Sequence, residues 1–155
     1  MNDNGFVLWE SRAIITYLVE KYAQNDALYP KDAQKRAVVN QRLQFDQSLY
    51  SFFVDYYFEQ FREKKPANPD KFKKLEGAVE FLNIFLDGQT YVANNTLSLA
   101  DFSLAATISS IEALKFDFTK YANVSKWFAH VKTVIPYEIN EKSIGFFNAF
   151  VDSFK

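Results

Sequence analysis

The segment that most constrains the fold is residues 97–115, LSLADFSLAATISSIEALK, which is apolar on nearly every face of a helix. Only Asp101 and Glu112 are charged before Lys115. A helix that is apolar all round must be buried on all sides, so this segment predicts a central helix around which the rest of the chain packs. Ser98 and Asp101 have the N-cap and N3 spacing of a capping box, with aspartate in place of the usual glutamate.

Further helices are predicted on both sides of this segment from the spacing of apolar residues and from the prolines that interrupt it. Asp32 can cap the longest of them, and Pro66 ends it. The predicted helices span about residues 32–64, 70–87, 98–115, 124–135 and 139–150. Together they indicate an all-α bundle.

A strand and a helix are predicted in front of the bundle. Asn4-Gly5 is a strong hairpin signal, because both positions of a type I′ turn require φ > 0. Residues 6–9 are strand-like and residues 12–23 are typical of a helix, but only three residues precede the turn. A single strand is not stable alone, so we interpret this piece as the tail of a larger α/β unit.

The boundary between the two parts is predicted in the polar segment QNDALYPK, residues 24–31. Its Tyr29-Pro30 step disfavours helix at the tyrosine. The expected division is therefore residues 1–30, a remnant of an α/β domain, and residues 31–155, an all-α domain.

Composition and charge exclude several classes of function. The net charge of −1 gives no bulk attraction to nucleic acid or anionic lipid. The absence of cysteine excludes disulfides and a thiol nucleophile, and it suits a reducing compartment. No apolar run approaches the roughly 18 residues of a membrane helix, and no signal peptide is recognisable. We therefore expect a cytoplasmic protein with neither nucleic acid nor membrane as partner.

The single histidine, His130, lies beside Trp127 and Val131 in a predicted amphipathic helix, where a solvated or core-edge position is the ordinary role. Catalytic and metal-binding histidines need partners, and the sequence suggests none. No glycine cluster is present to hold phosphates. No metal site and no catalytic residue are predicted.

The most informative site is Glu10-Ser11-Arg12, where a strand ends and a helix begins. Helix N-termini present free N–H groups and partial positive charge, so they bind carboxylates or phosphates. Ser11 could cap the helix and donate to an anion, while Glu10 could bind an ammonium group. Such a pair matches an α-amino-acid head group. Alternatively, Ser11 is an ordinary N-cap and the flanking charges are solvated.

Asp46 lies within a strongly apolar helix, where aspartate is locally disfavoured. If it is buried it needs a partner, and Arg12 and Arg42 are the candidates. The following aromatic stretch, from Tyr50 to Phe61, has two interpretations: core, or the wall of an apolar pocket. We expect a mixture of the two.

Four stretches resemble cytosolic glutathione S-transferases of the insect delta class: DNGFVLWESRAIITYLVEKY, LYPKDAQKRAVVNQRLQFD, LSLADFSLAATIS and FTKYANVSKWF. The resemblance covers essentially the whole chain. It implies a thioredoxin-like glutathione-binding part followed by the all-α C-terminal domain. It also implies glutathione as co-substrate, a small electrophilic compound as second substrate, and a homodimer.

The resemblance assigns roles to particular residues. Glu10 and Ser11 would hold the amino and carboxylate groups of the γ-glutamyl end, and Arg12 and Asp46 would form the charged network around it. Asp101 would support that network from the cap of the central helix. The aromatic wall of the substrate pocket would consist of Tyr50, Phe53 and Tyr57.

In that family the first part of the thioredoxin-like domain, with the serine that activates the glutathione thiol, precedes the Asn4-Gly5 turn. No residue of this chain matches that serine. Catalysis requires the thiolate to be positioned and stabilised, so we expect conjugation to be impaired in this truncated chain. We also expect the isolated chain to be unstable, because an unpaired strand edge is an aggregation hazard.

Three functions remain open from the sequence. The first is a glutathione transferase that conjugates glutathione to electrophilic apolar compounds in detoxification. The second is a non-catalytic helical domain that binds glutathione or apolar ligands, or that dimerises. The third is an interaction module like those attached to translation factors and tRNA synthetases, and the Glu10-Ser11-Arg12 motif argues against it.

Overall fold

A computed structural model describes residues 1–154 as a short hairpin followed by six helices. Lys155, the last residue of the predicted second domain, lies outside the described residues. The elements are β1 (Asn2–Asp3), β2 (Phe6–Val7), α1 (Ser11–Tyr22), α2 (Ala33–Arg62), α3 (Pro69–Phe85), α4 (Leu99–Ala113), α5 (Ala122–Val134) and α6 (Tyr137–Asp152). The predicted all-α bundle with a small α/β piece in front of it is confirmed.

The prediction of one strand is wrong, because the residues before the turn supply a second. β1 pairs antiparallel with β2, with Asn2 opposite Val7 and Asp3 opposite Phe6. Asn4 and Gly5 take φ values of 50° and 94°, both positive as the predicted type of turn requires. Two residues on each side are enough to close this hairpin.

The hairpin is attached to α1 by the carboxylate of Asp3. One oxygen, Oδ2, accepts hydrogen bonds from the hydroxyls of Tyr17 and Tyr22, at 2.6 and 2.7 Å, and from Lys21 Nζ at 2.7 Å. These hydrogen bonds hold the pKa of Asp3 well below its usual range, and the bond from Lys21 has a larger effect than those from the two tyrosines. Four residues therefore fix the start of the chain to one helix.

The central helix is α4, as predicted. Leu104, Ile108 and Ile111 are fully buried, and α2 packs along one side of the helix. Burial of each such side chain contributes about 1.5–3 kcal/mol to folding. α5 and α6 pack against other faces of α4, and α3 packs against α2 and α5.

The predicted capping box at the start of α4 is confirmed. Asp101 Oδ2 accepts from the backbone N–H and the hydroxyl of Ser98, at 2.9 and 3.0 Å. Its Oδ1 accepts from Val92 N–H and Trp127 Nε1, both at 2.9 Å. Burial raises the pKa of Asp101, and the four bonds oppose that rise. This carboxylate thus joins the loop before α4, the helix itself and α5.

The connection between the two parts of the chain contacts the central helix directly. Leu99 N–H donates to the carbonyl of Leu28 at 3.0 Å, and Tyr29 is buried in the core. The division into residues 1–30 and 31–155 stays a prediction. Within residues 1–154, no helix combines the length and apolar character that crossing a membrane requires.

Candidate functional site

A cavity of about 460 Å³ lies between the start of α1, the middle of α2 and the face of α4. α1 supplies two of the predicted site residues, and α2 supplies Tyr50. The lining residues are Ser11, Arg12, Ile15, Tyr50, Phe102, Ser103, Ala106, Thr107 and Ser110. The cavity has a polar end at the N-terminus of α1 and an apolar side formed by Ile15, Tyr50, Phe102 and Ala106, while Ser103, Thr107 and Ser110 add hydroxyls from α4.

The polar end is held by an ion pair between Arg12 and Asp46. Arg12 Nη2 and Nε donate to Asp46 Oδ2 at 2.6 and 3.0 Å, and Nη1 donates to Gln47 Oε1 at 2.8 Å. Asp46 is completely buried, whereas the Arg12 side chain is 19% exposed. The prediction that Asp46 needs a partner is confirmed, and the partner is Arg12. The other candidate, Arg42, instead donates to the carbonyl of Val92.

The Asp46 carboxylate has a third donor in Ser103 of α4, whose hydroxyl bonds the same Oδ2 atom. α1, α2 and α4 therefore meet at one oxygen. Asp46 Oδ1 is buried and has no hydrogen-bond partner among the described residues. A buried, unpaired carboxylate oxygen is costly, so a donor from water or ligand would stabilise this site.

Glu10 is held in a strained conformation immediately before α1. Its φ of 69° and ψ of 109° lie outside the regions that a non-glycine residue ordinarily adopts. Such strain costs on the order of 1–3 kcal/mol and is concentrated at functional sites. The Glu10 side chain is exposed and is not part of the cavity lining.

The expectation that Ser11 caps α1 is wrong. The helix begins at Ser11, Glu10 occupies the N-cap position, and no side chain caps the helix. The Ser11 hydroxyl accepts from Arg12 Nη1 at 3.3 Å, which leaves its own proton free to donate into the cavity. The N-terminus of this 12-residue helix is therefore open to an anion.

Of the three predicted pocket aromatics, only Tyr50 lines the cavity. The Arg12 guanidinium lies 5.8 Å from the centre of the Tyr50 ring. Phe53 is buried in the core, with its ring centre 5.9 Å from that of Tyr50 and 5.4 Å from that of Tyr57. Tyr57 is half-buried, and burial raises its pKa to about 12. Phe53 and Tyr57 form a layer behind Tyr50.

Asp101 lies outside the charged cluster. All of its hydrogen bonds go to Ser98, Val92 and Trp127, and none goes to Arg12 or Asp46. Its link to the site runs along α4, since Ser103 is two residues further on. The residue thus fixes the helix that carries a cavity side chain.

Sequence reasoning missed Ser103 and Gln47, which both contact the Arg12–Asp46 pair. The only signal for Ser103 was a hydroxyl in a largely apolar segment, and because that segment also contains Thr107, Ser109 and Ser110, the signal did not single out Ser103. Gln47 lies on an ordinary polar face and carries no such signal. Among residues 1–154, no group of three or more histidine, aspartate or glutamate side chains could hold a metal ion.

Comparison with known proteins identifies this architecture. The family model for the glutathione S-transferase C-terminal domain matches residues 14–133. A delta-class glutathione transferase of Nilaparvata lugens superimposes with a TM-score of 0.95 at 44% identity, over 99% of this chain and 74% of that one.

Two further insect structures agree. A Bombyx mori glutathione transferase matches with a TM-score of 0.91 at 39% identity, over 99% of this chain and 71% of its own length. Glutathione S-transferase 1-6 of Anopheles dirus species B matches with a TM-score of 0.89 at 38% identity, over 99% and 74%. The chain belongs to the glutathione S-transferase family, a family of enzymes that use glutathione as co-substrate, and the resemblance to the insect delta class is confirmed.

Proposed function

We propose that this chain holds the γ-glutamyl end of glutathione in a transferase that conjugates glutathione to electrophilic apolar compounds. The observation that carries the proposal is the buried Arg12–Asp46 pair beneath Ser11, at a helix N-terminus that no side chain caps. A carboxylate bound there would accept from the Ser11 hydroxyl and from backbone N–H groups of the first turn.

Glu10 supplies the complementary charge in this proposal. Its carboxylate is exposed beside the helix start, and its positive φ sets the direction of the chain at that point. The γ-glutamyl group carries one ammonium and one carboxylate next to each other. Glu10 would bind the ammonium group while Ser11 binds the carboxylate, and Arg12 would orient Ser11 through the bond to its hydroxyl.

The apolar side of the cavity is proposed to receive the second substrate. Tyr50, Phe102 and Ala106 line it. Phe53 and Tyr57 support Tyr50 from behind, and Asp101 holds α4 in place. Residues 1–30 would supply the glutathione-binding remnant, and residues 31–155 the helical domain and pocket.

The thiol is not activated by any residue we assign. The resemblance matches the family's activating serine to no position of this sequence, so the 155-residue chain by itself is proposed to bind glutathione without efficient conjugation.

A homodimer is part of the proposal and is supported by Phe81 and Ile84, which leave 60% and 57% of their surface exposed on one face of α3. A cytoplasmic location follows from the resemblance to cytosolic enzymes.

The test is calorimetric titration of glutathione into the 155-residue chain, with a conjugation assay on the same sample. Ser11→Ala should weaken binding by about 10-fold or more, which is the loss expected for a charge-assisted hydrogen bond of about 1.5 kcal/mol. Ser48→Ala, which changes an exposed serine on α2, is the matched control and should leave binding unchanged. Equal affinity for glutathione in the parent chain, Ser11→Ala and Ser48→Ala would refute the assignment of Ser11 to the carboxylate site.

A further inference from the structure

The turn of the hairpin, Asn4-Gly5, combines an amide side chain with a following glycine. Asn4 is the only asparagine of the sequence that precedes a glycine. A backbone nitrogen can attack the side-chain carbon of the asparagine before it, and glycine hinders this attack least because it has no side chain. Among residues 1–154, no atom beyond those of its chain neighbours lies within 4 Å of the place that a Cβ of Gly5 would occupy, and both residues are exposed. The surroundings of the turn therefore leave room for the attack and for water.

In the closed turn, both reacting groups are bonded to other partners. Gly5 N–H, which would supply the attacking nitrogen, donates to Asn2 Oδ1 at 2.9 Å. The Asn4 side-chain amide donates to Asp3 Oδ1 at 3.1 Å. These two bonds must break before the Gly5 nitrogen can lose its proton and the Asn4 side chain can turn toward it. The reaction therefore depends on opening of the turn.

The hairpin is small enough to open while the rest of the protein stays folded. Its ladder consists of two residue pairs, and Met1 and Leu8 extend it with two backbone bonds of 2.9 and 3.1 Å. A two-stranded hairpin is marginally stable by itself, and local openings cost less free energy than global unfolding. The hairpin is tied to α1 by the bonds of Asp3 Oδ2 and by the Phe6 ring, whose centre lies 5.1 Å from that of Tyr17. The strength of these contacts therefore determines how often the turn opens.

We propose that Asn4 is a site of spontaneous deamidation, which proceeds when the hairpin opens away from α1. The Gly5 nitrogen gives up its proton and forms a bond to Asn4 Cγ. The bond from Cγ to Nδ2 breaks, and the amide leaves as ammonia with that proton. Water then adds to one of the two carbonyl carbons of the resulting cyclic imide, which gives aspartate or isoaspartate at this position. The reaction requires no reagent other than water, and the inference does not depend on glutathione binding at Ser11.

Either product destabilises the closed hairpin. Both products carry a carboxylate in place of the amide that donates to Asp3 Oδ1, so a hydrogen bond is replaced by repulsion between like charges. Isoaspartate also adds a CH2 group to the backbone of a turn in which two residues connect the strands, so Asp3 and Phe6 lose their register. Because the ammonia is lost, the modification is a one-way change that favours the open hairpin.

The test is peptide mapping by mass spectrometry while the 155-residue chain is incubated in mildly alkaline buffer. Asn4 should be deamidated before the other asparagines, and aspartate and isoaspartate should form together, as hydrolysis of a cyclic imide requires. Lys21→Gln removes the ion pair that ties Asp3 to α1 and should accelerate deamidation about 2- to 5-fold, the factor that corresponds to an exposed ion pair. Lys120→Gln, which breaks the exposed pair with Glu76, is the matched control and should leave the rate unchanged.

The same chain unfolded in guanidinium chloride gives the rate of deamidation without the hairpin. The folded chain should react several-fold more slowly, because its turn is open for only part of the time. Equal rates in the folded and unfolded chains would overturn the role of the hairpin. The proposal would also be overturned if Asn4 stays intact in the folded chain while it is converted in the unfolded one, if aspartate forms without isoaspartate, or if Lys21→Gln reacts at the rate of the parent chain.

Discussion

The guanidinium of Arg12 donates twice to a single oxygen of Asp46, 34 residues further along the chain and completely out of contact with solvent. The pair joins α1 to α2, and Ser103 adds α4 to the same oxygen. Three helices are therefore positioned around the cavity by one carboxylate. The Arg12 side chain is 19% exposed and also reaches the Ser11 hydroxyl at 3.3 Å, so the pair connects the three helices to the residue that we propose binds the ligand carboxylate.

Breaking this pair should be strongly destabilising. Arg12→Ala leaves a buried carboxylate without its cation, and the loss of one partner from a buried pair costs about 3–5 kcal/mol. We expect the free energy of unfolding in urea to fall by at least about 2 kcal/mol. Glu20→Ala, which breaks the exposed pair with Arg36 and leaves the bond from Arg36 to the Pro30 carbonyl in place, is the control and should cost less than about 1 kcal/mol. Similar losses in both variants would contradict the account.

Replacing Glu10 should distinguish the effect of its strained backbone on stability from the effect of its carboxylate on glutathione binding. Glu10→Gly removes the penalty of a positive φ and should raise the free energy of unfolding by about 1 kcal/mol, while it weakens glutathione binding through loss of the carboxylate. Lys64→Gly, at an exposed position with φ of 52°, should stabilise similarly and leave binding unchanged. If Glu10→Gly binds glutathione as well as the parent chain, the ammonium contact is refuted.

The Trp127–Asp101 hydrogen bond should stabilise the start of α4. Trp127→Phe keeps the ring but removes the donor, so we expect a loss of about 1–3 kcal/mol in urea unfolding, from the bond and from the smaller ring. Trp9→Phe is the natural control because that side chain is 73% exposed, and its effect should be within about 0.5 kcal/mol. An equally small effect at Trp127 would show that the cap does not depend on this bond.

Acid should release the hairpin from α1. The folded pKa of Asp3 is depressed by Lys21, Tyr17 and Tyr22, so its stabilising contribution is present above the unfolded pKa, near 4. That contribution is lost as the pH falls from about 4 through the folded pKa. Amide exchange of Leu8, whose N–H bonds to Met1, should therefore accelerate in acid relative to the intrinsic rate.

Asp3→Asn should show the faster relative exchange of Leu8 already at neutral pH and little further change in acid. Asp87→Asn, at an exposed loop position, should behave like the parent chain. A parent chain whose relative exchange rate does not change between pH 7 and pH 2 would contradict the role of Asp3.

The sequence predicted those features that depend on strong local signals. The apolar segment around Leu104 could only be a buried helix, the Ser98–Asp101 spacing specified its cap, and an aspartate in an apolar helix required a partner. The family could also be predicted from the sequence, because the Glu10-Ser11-Arg12 motif follows a strand.

Other features depended on tertiary geometry that the sequence does not encode locally. Ser11 looked like an N-cap, but the strained backbone of Glu10 starts the helix one residue earlier. Two residues before Asn4 sufficed for a strand, because α1 anchors Asp3. The division of the aromatic residues between cavity and core depends on the helix rotation that places Tyr50 outward and Phe53 inward.

The most direct test of the central claim is to ask which part of glutathione this chain recognises. The 155-residue chain should be titrated calorimetrically with glutathione, with γ-glutamylcysteine and with cysteinylglycine under the same conditions. The account predicts that γ-glutamylcysteine retains most of the affinity of glutathione and that cysteinylglycine, which lacks the γ-glutamyl group, does not bind measurably. Comparable affinity for cysteinylglycine would contradict a γ-glutamyl site at Glu10, Ser11 and Arg12.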